Sequence, residues 1–174
     1  MKLGLLILLL TFSAFAEEKP PVLPENLVAH HTAVCPDFGT ADGKWFQRAA
    51  YTLPQSQYSK QINTLYVLGC EMYAYNSQER AYIVDPNGVI TDVWVAEIDF
   101  KGNFTATNSL MGSDYDPASQ LLYTFQKGRG IGDCGSAASY KYSAEEEKFI
   151  LTEARIKDNC DGDMEAEWPV VYSH

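Results

Sequence analysis

Beyond residue 65 the chain is punctuated by short runs of aromatic and β-branched residues, each followed by a cluster of turn formers. That grammar belongs to hairpins, because a strand takes about four to eight such residues whereas a helix needs a longer 3.6-residue repeat. Leu65-Tyr66-Val67-Leu68 and Ala81-Tyr82-Ile83-Val84 are two such runs, and Asp85-Pro86-Asn87-Gly88 after the second contains the Asn-Gly pair of a tight hairpin. Residues 93–99 alternate: Trp94, Ala96 and Ile98 share one face, Val93, Val95, Glu97 and Asp99 the other. Lys101-Gly102-Asn103 then turns the chain, and Phe104 returns it as a second hairpin. Asp114-Tyr115-Asp116-Pro117 reads as a turn into residues 121–125, where Leu121, Tyr123 and Phe125 face away from Leu122 and Thr124. Residues 139–142 and 149–156 predict two more strands around the charged connection 143–148. In the second, Ile150, Thr152, Ala154 and Ile156 alternate with Phe149, Leu151, Glu153 and Arg155. The chain closes on Trp168-Pro169-Val170-Val171-Tyr172. About seven or eight strands predict an all-β fold, an antiparallel sandwich, barrel or rolled sheet. The spacing also fits two blades of a propeller-like sheet, and a helix is expected only near residues 42–50.

The first residues carry an address. Lys2 precedes an apolar stretch from Leu3 to Leu10, and Ala14-Phe15-Ala16 stands before Glu17, the pattern of a signal peptide cleaved after Ala16. Residues 17–24 hold three prolines and three charges, so 17–34 is expected to be an extended leader. Residues 35–174 then form one disulfide-bonded β domain. The remaining cysteines, Cys35, Cys70, Cys134 and Cys160, are even in number in a chain destined for an oxidising compartment, which predicts two disulfides. Of three possible pairings, Cys35 to Cys70 and Cys134 to Cys160 close the shorter loops. No two cysteines have the close spacing of a zinc site.

Composition narrows the class of partner. Apolar residues at 46% and charged residues at 21% are ordinary for a globular chain. Thirteen cations against 23 anions give −10, and loss of Lys2 with the signal peptide leaves 12 against 23, or −11. That field repels nucleic acid and anionic membrane and favours a cationic protein. No stretch of the mature chain is long and apolar enough to span a membrane.

Candidate chemistry concentrates in Lys127-Gly128-Arg129-Gly130-Ile131-Gly132-Asp133-Cys134-Gly135, with four glycines in nine positions. Lys127, Gly128, Arg129, Gly130, Gly132 and Asp133 are the candidate binding residues. Such a bend can aim backbone N–H groups at an anion beside Arg129; the plainer reading is a tight loop pinned at Cys134, with Arg129 and Asp133 satisfying backbone groups. The segment lacks the P-loop ending and the dinucleotide spacing. His30 and His31 read as an exposed pair in the leader and His174 is the last residue, so no general base is expected in the body. There is no Gly-X-Ser-X-Gly elbow. Glu145-Glu146-Glu147 reads as a solvated turn, and Asp158-Asn159-Cys160-Asp161-Gly162-Asp163 lacks the EF-hand spacing for calcium.

Tyr115-Asp116-Pro117, the run from Lys127 to Ser136, Phe149-Ile150-Leu151, Cys160 and Trp168-Pro169 resemble a bacterial secreted family catalogued as domain of unknown function 1176. Leu68-Gly69-Cys70 with Tyr73-Ala74-Tyr75-Asn76 is similar to its middle motif, so the resemblance spans roughly residues 65–172. The chain departs from the pattern at Tyr140, where Trp is more frequent, and at 159–162, where Arg usually follows the cysteine. The resemblance implies a secreted or envelope location and names no reaction. The hairpin arrangement is more loosely similar to periplasmic β proteins that inhibit lysozyme. The resulting expectation is a monomeric periplasmic or secreted protein that binds a protein or envelope component, without catalysis and without a cofactor. Inhibition of a lysozyme-type enzyme, whose basic surface suits an acidic inhibitor, is one alternative. A cell-wall or glycan hydrolase built on a carboxylate pair is the other.

Overall fold

The computed structural model describes residues 20–40, 43, 46–99 and 101–174; the expected signal peptide and part of the expected helix at 42–50 lie outside these residues. Strands are numbered in chain order. One antiparallel sheet runs β1 (Arg48–Thr52), β2 (Thr64–Met72), β3 (Ser77–Val84), β4 (Ile90–Asp92), with β7 (Leu110–Met111) also paired to β3. A second runs β12 (Val170–Ser173), β11 (Lys148–Lys157), β10 (Gly135–Ser143), β9 (Leu121–Lys127), β8 (Asp114–Asp116). A hairpin of β5 (Val95–Ile98) and β6 (Phe104–Thr107) stands apart as its own sheet. Neighbours in the main sheets are mostly neighbours in sequence, as expected of a chain written in hairpins. Neither sheet closes into a barrel.

Alternation assigns the faces. Leu65, Val67, Ala81 and Ile83 of the first sheet meet Leu122, Tyr140, Tyr142 and Phe149 of the second in one buried core. Leu68, Tyr82 and Val84 point the other way into a second core. Both hairpin turns read from sequence form, and they share a device. Asp85 Oδ1 accepts from the N–H groups of Asn87 and Val89, both at 2.8 Å, and Asp99 Oδ1 does the same for Lys101 and Asn103, both at 2.8 Å.

Four expectations need correction. Among the described residues there are twelve strands where about seven or eight were expected, in part because β4, β7 and β8 have three, two and three residues, too few to show alternation. Strands begin at β1, ahead of residue 65, and occupy 48–50 where a helix was expected; three of the five residues of this half-exposed strand are arginine or alanine, which carry little β signal. Asp114-Tyr115-Asp116 is strand β8, and the turn follows it. Strand β11 does not alternate evenly. Ser139 pairs with Glu153 and Tyr140 with Leu151, so Thr152 is an extra residue, its hydroxyl donating to Ser139 O at 2.9 Å. That bulge lets Phe149 and Leu151 on one side, and Ala154 and Ile156 on the other, all turn inward.

The expected extended leader is also helical at its end, as α1 (Glu25–Val34). The prolines before it mask the signal, but Pro24 is the N-cap, where a missing N–H costs nothing. The buried stripe of the helix is Leu27 and His31, an i, i+4 pair that looks polar until His31 is counted as core. The helix covers the outer face of the first sheet, where Cys35 bonds Cys70 of β2.

His31 is therefore not the exposed leader residue it reads as. Fully buried, it donates from Nε2 to Gly69 O at 3.0 Å, so Nδ1 accepts from the Tyr82 hydroxyl at 2.8 Å. Burial lowers its pKa below the ordinary 6.5, and pushes the Tyr82 hydroxyl up to about 12. An imidazole held neutral in the fold but free to protonate when unfolded stabilises the protein above pH 6.5, and that contribution is lost as pH falls toward the lowered value. The unfolding free energy should drop on acidification from about pH 7 to 5, with His31 supplying up to about 1.4 kcal/mol per pH unit. Urea titrations should show a shallower dependence for His31→Gln, whose amide can keep both hydrogen bonds; an identical dependence would contradict the assignment.

Candidate functional site

The glycine-rich bend joins β9 to β10 and is locked from inside. Gly128 N–H donates to Cys134 O at 2.8 Å and Gly132 N–H to Arg129 O at 2.9 Å. Two glycines are required sterically. A Cβ on Gly128 would lie 2.8 Å from Cys134 Sγ, and one on Gly135, at φ +138°, would lie 1.9 Å from Gln126 O. Asp133 is fully buried and takes Arg129 in a two-point ion pair, with Nε to Oδ1 at 2.6 Å and the second guanidinium nitrogen on Oδ2. Its Oδ2 also accepts from Gly162 N–H at 2.6 Å. The guanidinium, and then that amide, hold the Asp133 carboxyl well below the usual range.

The Gly128 and Gly132 amides and the guanidinium are thus engaged within the protein, Arg129 with the Asp133 carboxylate and not with a backbone group, while Asp133 does take a backbone amide. Lys127 lays its methylenes against Gly132. Its ammonium has no hydrogen-bond or ion-pair partner among the described residues. Gly130 lies open beside the Tyr75 ring.

Two other loops are tied to this bend. The Cys134–Cys160 disulfide and the Gly162 contact hold segment 158–164 against it. In that segment Asp161 accepts from Lys157 Nζ at 2.8 Å and from Asp163 N–H at 3.0 Å, while Asp163 Oδ1 accepts from Glu165 and Ala166 N–H. The Asp161 and Asp163 carboxylates serve the loop itself. Asp133, Cys134 and Cys160 place ligand atoms within 4.8 Å of one another, but both sulfurs are in the disulfide and offer no thiolate.

From the opposite sheet comes the β2–β3 loop, 51 residues earlier in the chain. Asn76 grips the Lys127 backbone at both ends, accepting from its N–H at 2.9 Å and donating to its carbonyl at 3.0 Å, and Tyr75 donates to Gly128 O at 3.3 Å. The Tyr73-Ala74-Tyr75-Asn76 motif and the glycine-rich motif, separate in sequence, are one rigid tip. Met72, Tyr73, Tyr75, Ile131 and Met164 are large apolar side chains exposed on its loops. Nothing in the local sequence around either motif signals that they meet.

Several carboxylates elsewhere are engaged within the protein. Glu146 pairs with Lys148, Glu147 accepts from Asn63 at 3.4 Å, and the buried Glu79, not singled out by sequence, takes the N–H and hydroxyl of Ser113 at 2.8 and 3.1 Å. Glu79 pins the crossing from β7 to β8, where the chain passes from one sheet to the other.

A family model described as a protein of unknown function, DUF1176, matches residues 42–174. The chain belongs to the DUF1176 family. The uncharacterized protein YpfG of Escherichia coli (strain K12) is 30% identical over 111 residues, covering 62% of this chain and 31% of that protein. The chain thus spans about a third of that relative's length. No solved structure matches. The DUF1176 span contains all three tip loops, whereas α1 and Cys35 precede it. Among the described residues no helix is long and apolar enough to cross a membrane.

Proposed function

We propose that this DUF1176 protein is a secreted or periplasmic binding protein of the bacterial envelope that recognises a cationic protein partner through the three-loop tip and catalyses no reaction. The observation that carries this reading is the double clamp of Asn76 on Lys127, which holds two chemically distinctive motifs rigid while their aromatic and methionine side chains face solvent. Exposed aromatics, Met and Arg are the residue types enriched where proteins meet, and a preorganised loop loses little entropy on binding. Asp158, Asp163 and Glu165 flank the tip within a chain of net charge −10, which would draw in a basic partner. The absence of catalysis is supported by four oxidised cysteines and by a buried His31 whose ring nitrogens are both bonded internally.

Immobilised, oxidised mature protein should retain a basic lysozyme-type enzyme or another basic envelope protein at low salt and release it as salt rises. Tyr75→Ala should weaken that interaction roughly 30-fold, the scale of an interface hot spot, and leave the melting temperature nearly unchanged. A partner held equally well by Tyr75→Ala and Arg129→Ala would place its contact elsewhere. Loss of muramidase turnover in the same mixtures would assign the partner to the lysozyme class; retention without inhibition would assign another basic protein.

A further inference from the structure

Alternation along β5 turns Val95 into the core, and Glu97, two residues on, shares its face. On β9, half-buried Thr124 and exposed Gln126 follow buried Leu122 at two-residue spacing. Together with Thr107, Ser136 and the Tyr140 side they line a cleft at the end of the sandwich, with Val95, Ile98, Leu110 and Leu151 as its apolar walls. The open cleft has a volume of about 30 Å³, enough for a group the size of one or two waters, which need about 10–15 Å³ each.

Glu97 stands at the mouth, exposed to solvent. It has no hydrogen bond or ion pair among the described residues. Partial desolvation pushes its carboxyl up, and the Tyr140 hydroxyl is pushed up to about 12 by its own burial first and by the Glu97 charge last, against a hydrogen bond with Thr124. Arg155 borders the cleft but is occupied, with Nε on Glu153 at 2.7 Å and another nitrogen on Glu167 at 3.2 Å. The site therefore lacks a cation of its own. A divalent metal would want several carboxylates, and only one is present. A single anion ringed by neutral acceptors above an apolar wall matches a monovalent N–H donor on an alkyl chain.

We propose that this cleft binds the ammonium end of an alkylamine, either a lysine side chain or a free amine, with Glu97 as counterion and the Thr124 and Gln126 side chains as further acceptors. The proposal stands on the cleft and not on the tip. The test is amide NMR titration of the oxidised mature protein with three probes: pentylamine, a lysine blocked at both backbone ends, and 1-pentanol as the uncharged control. Saturable shifts of Glu97, Thr124 and Ser136 are expected with the amines, and at least about tenfold weaker binding of pentanol. Glu97→Gln should weaken amine binding at least about tenfold, and Thr124→Val about threefold, at unchanged melting temperature. Tighter binding of blocked lysine would assign a peptide source, and tighter binding of pentylamine a free amine. No saturation by either amine, equal binding of pentanol, or undiminished binding by Glu97→Gln would overturn the proposal.

Discussion

Replacing Cys35 and Cys70 together by serine is expected to lower the unfolding free energy by roughly 3 to 4 kcal/mol and the melting temperature by on the order of 10 °C. The pair closes a loop of sequence separation 35, and opening it returns that chain entropy to the unfolded state. The effect should also be local. This disulfide ties the end of α1 to β2 over the second core, where Leu27, Phe38 and Tyr82 are buried, so the helix loses its covalent tether while the sheets keep theirs. Urea unfolding gives the total. Hydrogen exchange should show amides of 25–34 opening at lower free energy than those of β10 and β11; uniform loss across all three would mean that α1 is held by packing alone.

Gly135→Ala should cost about 3 kcal/mol or more, combining an L residue at φ +138° with a Cβ driven to 1.9 Å from Gln126 O. Gly135 pairs with Lys127 on one side and Lys157 on the other, so the strain falls on both ladders at the root of the tip. Gly102→Ala is the matched control, because its φ is +83° with nothing within 4 Å of the added carbon. Its cost should be about 1 kcal/mol, the conformational share alone. Urea midpoints separate the two. Equal losses would show that backbone angle, and not the crowding at Gln126, makes glycine necessary at 135.

Much of the architecture was legible because it is local. Asn87-Gly88 and Lys101-Gly102-Asn103 close hairpins whose strands lie next to one another in sequence, and the preference for shorter loops paired the four cysteines as the structure does. Where the rule was local but the residue type misleading, the reading failed. His31 counts as polar in any hydropathy pattern, yet with two hydrogen bonds it behaves as core, and the helix carrying it was lost behind three prolines. Thr152 looks like one more alternating position, although its extra residue reverses the alternation and fills the core from both halves of β11. The candidate site divides in the same way. Glycine spacing marked 127–135 as a constrained bend, while its partners Tyr75 and Asn76 were visible only as a separate motif.

From residues alone came the all-β class, two of the hairpin turns, a preference for the two covalent links and the place of the glycine bend, since turn chemistry and period-two alternation act over a few neighbouring positions. Folding in three dimensions decided the rest: the burial of His31, the crossing held by Glu79, the joining of the β2–β3 loop to the bend, and the placing of Glu97 and Tyr140 on one cleft. Each of these depends on which two distant segments share a face, and side-chain contacts between such segments are set by packing that no short window of sequence contains.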